Sequence, residues 1–209
     1  MENKMENKME EISSQRKLEA LEENGTFIRK DGKTFLQLDC ENAKELSMKW
    51  GEKLYPFTKT GKKWILELPF STPVNYVQIC VDGQEVLSPE LPIAHGYGRP
   101  YNYIELPDEE GLFELRDVPH GTLTQEFYKS KISDNWEKLI VYLPPCVPSA
   151  GLPVLYLQHG FGESEISWST TGKVNLLMDN LIAAGKIKPF AIVMGNGMVK
   201  QRIDGELKL

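Results

Sequence analysis

The chain has 209 residues, room for one or two domains, and its 41% hydrophobic and 26% charged content is that of an ordinary globular protein. A formal net charge of −6 without a face-sized basic cluster argues against nucleic acid as a partner, and no apolar run approaches the ~20 residues that span a bilayer. Cys40, Cys80 and Cys146 are too few and too scattered for a disulfide framework or a zinc site, so no metal or cofactor is expected.

Buried free thiols are the plain reading of the three cysteines, with a Cys40–Cys80 bridge as the alternative. The stretch Met1 to Lys17 is charged and lacks the apolar segment of a secretory signal. As written the chain fits the cytoplasm, unless a secreted precursor starts further upstream. The direct repeat Met-Glu-Asn-Lys-Met-Glu-Asn-Lys-Met-Glu opens a charged arm over residues 1–24, expected to be flexible. Ile12, Leu18 and Leu21 make a thin apolar stripe, and a partner-binding helix is the sharper alternative.

Residues 25–107 are written in strand patterns. Asp31-Gly32 is a turn signal, and Phe35 to Leu38 follows as a short apolar strand. Leu46, Met48 and Trp50 alternate with polar neighbours, as do Trp64, Leu66 and Leu68 after a Thr-Gly turn within 59–63. Tyr76 to Val81 is a further strand closed by Asp82-Gly83, and Asn102 to Leu106 is the last. Short strands separated by turn signals predict an antiparallel β-sandwich of immunoglobulin-like type. Pro107-Asp108-Glu109-Glu110-Gly111 then opens a linker, placed over 108–118.

From 119 to 209 the pattern changes. Thr122 to Ser130 and Trp136 to Leu143 are longer strands joined through Ser133-Asp134-Asn135, a hairpin ended by Pro144-Pro145. Val154 to Leu157 is a continuous apolar run, the pattern of a central strand covered on both faces. Val174, Leu177, Met178, Leu181 and Ile182 share one helical face, and Gly185 ends that helix. Phe190 to Met194 is a second buried strand. Strand, helix and strand make a right-handed βαβ unit, so a parallel sheet with an antiparallel edge is expected. Met198 to Leu209 reads as a polar tail with no strand pattern.

The run Leu155-Tyr156-Leu157-Gln158-His159-Gly160-Phe161-Gly162 reads as a strand that ends in a glycine-bracketed turn. Such a turn can aim backbone N–H groups at a developing oxyanion, which points to ester hydrolysis.

With Val118-Pro119-His120-Gly121, Val141-Tyr142-Leu143-Pro144-Pro145, Pro153 to Gly160 and Asp179 to Lys186, this run resembles the front of a carbohydrate esterase of the feruloyl and acetyl-xylan esterase type. It is similar, more distantly, to enterochelin esterases. The upstream sandwich resembles the early-set domain, akin to glycogen-branching-enzyme N-terminal modules, that often precedes them; Val81-Asp82-Gly83 and Gly96-Tyr97-Gly98-Arg99 carry that likeness. The resemblance covers residues 25–200. It implies an immunoglobulin-like, early-set β-sandwich followed by the N-terminal part of an α/β-hydrolase, a three-layer αβα domain. It also implies a Ser–His–Asp/Glu triad, acyl esters of plant cell-wall polysaccharide as substrates, and frequent secretion. The family nucleophile sits in Gly-x-Ser-x-Gly, which this sequence lacks; Gly162-Glu163-Ser164-Glu165-Ile166 has no second glycine. The expectation is therefore a chain truncated before its nucleophile and inactive by itself, with no triad residue encoded.

The resemblance makes Phe161 N–H the oxyanion donor, with Gly160 and Gly162 allowing close approach. His159 matches the positional histidine of that turn. His159, Trp168 and Asn196 are candidate pocket residues, the last two against sheet packing and plain turn chemistry. His120 and His95 are read as hydrogen-bonding or solvated, and Ser164, Ser167 and Ser169 as loop or helix-entry hydroxyls. Trp50, Tyr97 and Tyr101 are candidate glycan contacts, which gives the alternative function of a non-catalytic carbohydrate-binding or interaction protein. Self-association is a third expectation, because Phe190 to Met194 would otherwise leave a hydrophobic sheet edge.

Overall fold

The computed structural model describes residues 26–108, 110–148, 151–198, 201–203 and 206–208; the predicted arm over 1–24 lies outside them. The chain divides into two compact units, one of Met1–Ile93 with Tyr101–Gly111 and one of Ala94–Pro100 with Leu112–Leu209.

Ten strands run from residue 27 to residue 105: β1 (Phe27–Lys30), β2 (Lys33–Asp39), β3 (Leu46–Trp50), β4 (Lys53–Pro56), β5 (Thr58–Thr60), β6 (Lys63–Glu67), β7 (Val74–Val81), β8 (Gln84–Val86), β9 (Ile93–Gly96) and β10 (Arg99–Glu105). One sheet has the order β1-β2-β6-β5, the other β4-β3-β7-β10-β9 with β8 on β7. Period-two alternation sends one row of each strand inward. Leu36 faces Leu66 and Leu38 faces Trp64 across β2 and β6, while Met48 faces Ile79 across β3 and β7. These residues join Val77, Leu91 and Ile104 in one buried cluster, so the two sheets fit a sandwich. Each such side chain contributes roughly 1.5–3 kcal/mol by leaving water. Asn102 is buried yet satisfied: its Oδ1 accepts from Ser88 N at 2.8 Å, and its Nδ2 donates to Ser88 O and Leu91 O.

The turns are as informative as the strands. Asp31-Gly32 (φ 53° and 74°) and Asp82-Gly83 (φ 49° and 82°) are two-residue connections with both residues left-handed, the geometry that matches strand twist. Tyr97-Gly98 (φ 51° and 77°) makes the same turn between β9 and β10.

In the second unit, β11 (Thr122–Lys129), β12 (Trp136–Leu143), β13 (Val154–Tyr156) and β14 (Ala191–Gly195) form a sheet of order β11-β12-β14-β13. β11 and β12 are the predicted hairpin; β13 and β14 are parallel, with Leu155 beside Ile192. Helix α1 (Ser167–Thr170) and helix α2 (Val174–Ala183) lie between β13 and β14 in sequence. Val174 and Met178 of α2 pack on Ile140, Tyr142, Ile192 and Met194. Gly185 at φ 65° ends α2, and Lys186 N bonds back to Leu181 O at 2.9 Å.

Four expectations are corrected here. The apolar run from Val154 is not a central strand covered on both faces: β13 is at the end of its sheet among the described residues, and Tyr156 is 79% exposed. A short apolar run carries no signal of how many neighbours it has. Conversely, the strand of Phe190 to Met194 is not an edge, because β12 pairs antiparallel along its other side, Val141 opposite Val193. The basis given for self-association therefore fails at β14. The polar tail does hold strands: Gln201–Ile203 pairs antiparallel with Glu206–Lys208, and the sequence between them is Asp204-Gly205, the dipeptide of two other hairpins in the chain. Finally, all three cysteines are free, but only Cys80 is buried, where burial pushes its thiol pKa up; Cys146 is exposed.

Candidate functional site

The carboxyl ends of the parallel strands β13 and β14 carry two loops, 157–166 and 196–198. Ligands of α/β sheets collect at such ends. His159 joins the loops. Its Nε2 accepts from Gly197 N at 2.9 Å, and its Nδ1 lies 2.7 Å from Gly160 O. With Nε2 accepting, the ring proton sits on Nδ1 and is donated to Gly160 O. His159 is buried and its role is to brace the turn.

The turn has further ties. Gly160 N donates to Glu163 Oε2 at 2.9 Å, and Glu163 N to Gly160 O at 3.2 Å. Trp168 Nε1 donates to Gln158 O at 2.8 Å, so its polar edge is committed to holding the loop. Gly197 leaves room for the Gln158 amide, which a Cβ there would meet. Gly162 sits at φ 75°, and a Cβ on it would run into the backbone of Tyr97 and Gly98. That approach is sealed by two bonds, Tyr97 N to Phe161 O at 3.2 Å and Gly98 N to Gly162 O at 3.1 Å.

Phe161 N–H has no hydrogen-bond partner among the described residues, and neither has Gly162 N–H, while Gly160 N and the Phe161 and Gly162 carbonyls are engaged. The Phe161 side chain is 77% exposed and that of Tyr97 71%. The turn is thus tied at Gly160 N, Phe161 O and Gly162 O, and it leaves the Phe161 N–H without a partner.

Beneath the turn lies Glu165, 1% exposed. Lys138 Nζ of β12 is 2.6 Å from its Oε1, and Asn196 Nδ2 donates to its Oε2 at 2.9 Å. Burial raises the Glu165 pKa, but the Lys138 ammonium, a backbone bond and the Asn196 amide more than offset this, leaving it below the usual carboxylate range. The Oδ1 of Asn196 accepts from Met198 N at 2.9 Å, so both ends of that amide are used inside the protein. Ser167 Oγ accepts from Ser164 N at 3.1 Å, a helix-entry contact.

A second polar centre escaped the apolar-face reading of α2. Asp179 is 2% exposed and accepts from Tyr142 OH at 2.6 Å, Gly121 N at 2.9 Å and His120 Nδ1 at 2.9 Å. Its neighbour Asn180 donates to Leu112 O and Glu114 O. Together they tie the chain before β11 to the helix. The signal for them was two polar residues next to Met178 on a buried face.

Of the candidate glycan contacts, Trp50 packs on Phe70 with ring centres 4.9 Å apart, and Tyr101 packs on Tyr76 at 6.0 Å; both stand in the first unit, in different aromatic groups. Tyr97 belongs to the second unit, at the turn beside Phe161. His95 is exposed on β9. Among the described residues no group of three or more His, Cys, Asp or Glu side chains is placed to hold a metal ion, and no helix is long and apolar enough to cross a membrane.

Parts of the chain are similar to known proteins. Residues 130–204 match the family described as "Putative esterase". Over 140 residues, 63% of this chain, the sequence is 37% identical to an endo-1,4-β-xylanase/feruloyl esterase of Xylanibacter ruminicola, of whose length the chain spans only 19%. The enterobactin esterase of Shigella flexneri, solved with enterobactin, aligns over 83% of this chain and 55% of its own, with a TM-score of 0.57 and 10% identity, a likeness of fold alone. A ferulic acid esterase from the anaerobic fungus Anaeromyces mucronatus aligns over 40% of this chain and 31% of its own, at 26% identity and a TM-score of 0.37. The sequence likenesses support an esterase family.

Proposed function

We propose that this chain carries the oxyanion-binding part of a carboxylic ester hydrolase of the feruloyl and acetyl esterase kind, directed at acyl esters of plant cell-wall polysaccharide. In this reading the second unit is the front of an α/β-hydrolase and the first an immunoglobulin-like, early-set sandwich. The observation that carries it is the unpartnered Phe161 N–H, held at the carboxyl end of β13 by the bonds of His159, Gly160 and Gly162.

The chemistry follows from the charge that ester cleavage creates. Attack on the acyl carbon turns the carbonyl oxygen into an oxyanion. A donor already aimed at that place costs no reorganisation, and one such donor lowers the barrier by about 3–4 kcal/mol. Gly160 and Gly162 keep side chains away from the donor, and His159 holds the direction of the peptide plane. The nucleophile, acid and base are not supplied: no Gly-x-Ser-x-Gly occurs in the 209 residues, so these residues alone bind without turning over.

Two measurements test the proposal. In a ¹⁵N-labelled sample at constant ionic strength, acetate, whose carboxylate stands in for the developing oxyanion, should move the Phe161 amide downfield in a saturable way. The 209-residue chain should leave methyl ferulate and p-nitrophenyl acetate unhydrolysed. A Phe161 amide indifferent to acetate removes the oxyanion reading. Turnover abolished by a serine-reactive phosphonate would reveal an encoded nucleophile.

A further inference from the structure

We infer that Asn196-Gly197 is a deamidation site held closed by His159, and that its conversion releases the loop after β14 from the turn after β13. The inference stands whether or not Phe161 N–H binds an oxyanion. It starts from the sequence. Asn-Gly is the dipeptide most prone to cyclise, because glycine sets no side chain in the way of attack on the asparagine amide. The chain holds two such pairs, Asn24-Gly25 and Asn196-Gly197, and Gly195 precedes the second. This loop depends on both members of its pair. A Cβ at position 197 would meet the Gln158 amide, and Asn196 is bonded at both ends of its side chain.

Every group that reacts in the cyclisation is pinned. The nucleophile is Gly197 N, whose N–H is on His159 Nε2 at 2.9 Å. The carbon attacked is Cγ of Asn196. Its Oδ1 accepts from Met198 N at 2.9 Å, and its leaving Nδ2 donates to Glu165 Oε2 at 2.9 Å. In the reaction the bond from Gly197 N to Cγ forms and the Cγ–Nδ2 bond breaks. The Gly197 amide proton departs with that nitrogen as ammonia. Water then opens the cyclic imide and leaves aspartate or isoaspartate at position 196. Gly197 is exposed, so water reaches the site. Attack requires the Gly197 peptide to turn its nitrogen toward Cγ, which takes its N–H off the imidazole. It also requires the side-chain amide to leave the plane set by Met198 and Glu165. His159 thus holds the nucleophile, and the other two bonds hold the electrophile. Conversion removes the N–H given to Glu165 and sets two carboxylates side by side. An isoaspartate link also adds a backbone atom before Gly197, which carries its N–H away from His159.

The test follows conversion at position 196 by peptide mass spectrometry during incubation of the full 209-residue chain in mildly alkaline buffer. Asn24-Gly25 in urea is the reference for an unhindered pair. In native wild type, position 196 should convert more slowly than this reference by roughly tenfold or more, since several hydrogen bonds must open first. His159→Ala should speed native conversion roughly fivefold, the worth of one hydrogen bond. Glu165→Gln, which keeps an oxygen for Asn196 Nδ2 and leaves the His159 link in place, should stay near the wild-type rate. Equal acceleration in the two variants would mark general loss of stability and overturn the lock. A slower rate in His159→Ala would make the imidazole a base that promotes the attack, and would overturn it too. The wild-type comparison with urea needs no variant to fold, and a native rate equal to the reference also ends the proposal. Converted wild type should lose hydrogen-exchange protection at Gly197. Protection that survives conversion would show that the loops stay joined.

Discussion

Gly197 N–H donates to His159 Nε2 at 2.9 Å, so one imidazole links the loop after β14 to the loop after β13. The two strands are parallel neighbours, and their ends must be held apart and in step if a backbone N–H between them is to point at a fixed place. His159→Ala removes this link and leaves Gly197 N–H and Gly160 O to water. The expected loss is about 1–2 kcal/mol of stability, read from a urea midpoint, with faster hydrogen exchange at Phe161. An unchanged midpoint and unchanged exchange would show that the turn is held by its other bonds.

His120 offers a pH test. Its Nδ1 faces Asp179 and its Nε2 faces Arg116 O at 3.0 Å, and both partners are acceptors. Only the imidazolium can donate to both. The Asp179 hydrogen bond raises the His120 pKa most; partial burial opposes it, and Arg116 O and the charges of Asp179 and Asp117 add to the rise. Because the folded value lies above the unfolded one, about 6.5, the stabilisation is full below that pH and is lost as pH rises through the folded value. Wild type and His120→Gln should therefore differ most in denaturation midpoint at pH 5.5 and less at pH 8.5. A gap that widens with pH would reverse the assignment of charge.

What the sequence made legible follows the reach of each signal. Alternation placed β3 and β6 because one buried face writes itself every second residue, as Leu46 and Met48 do, while β2, β7 and β10 showed as short strand-like runs between turn signals. Asp82-Gly83 announced its turn because few residues accept two left-handed positions. Sheet order was not legible: Val154 to Leu157 and Phe190 to Met194 look equally buried, yet one strand ends the sheet and the other is inside it, since an apolar run does not name its neighbours. The donor turn was legible at Gly160-Phe161-Gly162, but its braces were not. Glu165, Lys138 and Asn196 are far apart in sequence and meet only through the fold. Tyr97 was visible as an aromatic in a turn; that it lies against Phe161 is a long-range fact.

Gly162→Ala addresses the close approach directly. The residue sits at φ 75°, and its missing Cβ is where the backbone of Tyr97 and Gly98 passes. Alanine there bears left-handed strain of about 1–2 kcal/mol and, beyond it, must push a backbone segment away. The expected outcome is a loss of roughly 2–4 kcal/mol, or a folded protein in which the Tyr97 and Gly98 amides lose their exchange protection. Alanine tolerated with both amides still protected would contradict the packing.

Glu165 tests whether the base of the turn is electrostatic. The carboxylate is buried, but Lys138, at 2.6 Å, is half in water, so the pair avoids the full cost of two desolvated ions. Glu165→Gln keeps an oxygen for Asn196 and removes the charge that faces Lys138. A loss of about 2 kcal/mol at neutral pH is expected, the worth of a hydrogen bond to a charged group. Burial raises the Glu165 pKa most, but the Lys138 bond and charge, a backbone bond and the Asn196 amide together outweigh it, so the folded value lies below the unfolded one, about 4.3. The stabilisation is then complete above that pH and fades as pH falls through the folded value. The gap between wild type and Glu165→Gln in urea midpoint should accordingly be full at pH 7 and shrink below about pH 4. A gap that persists unchanged in acid would mean that shape, and not the Lys138 charge, is what Glu165 contributes.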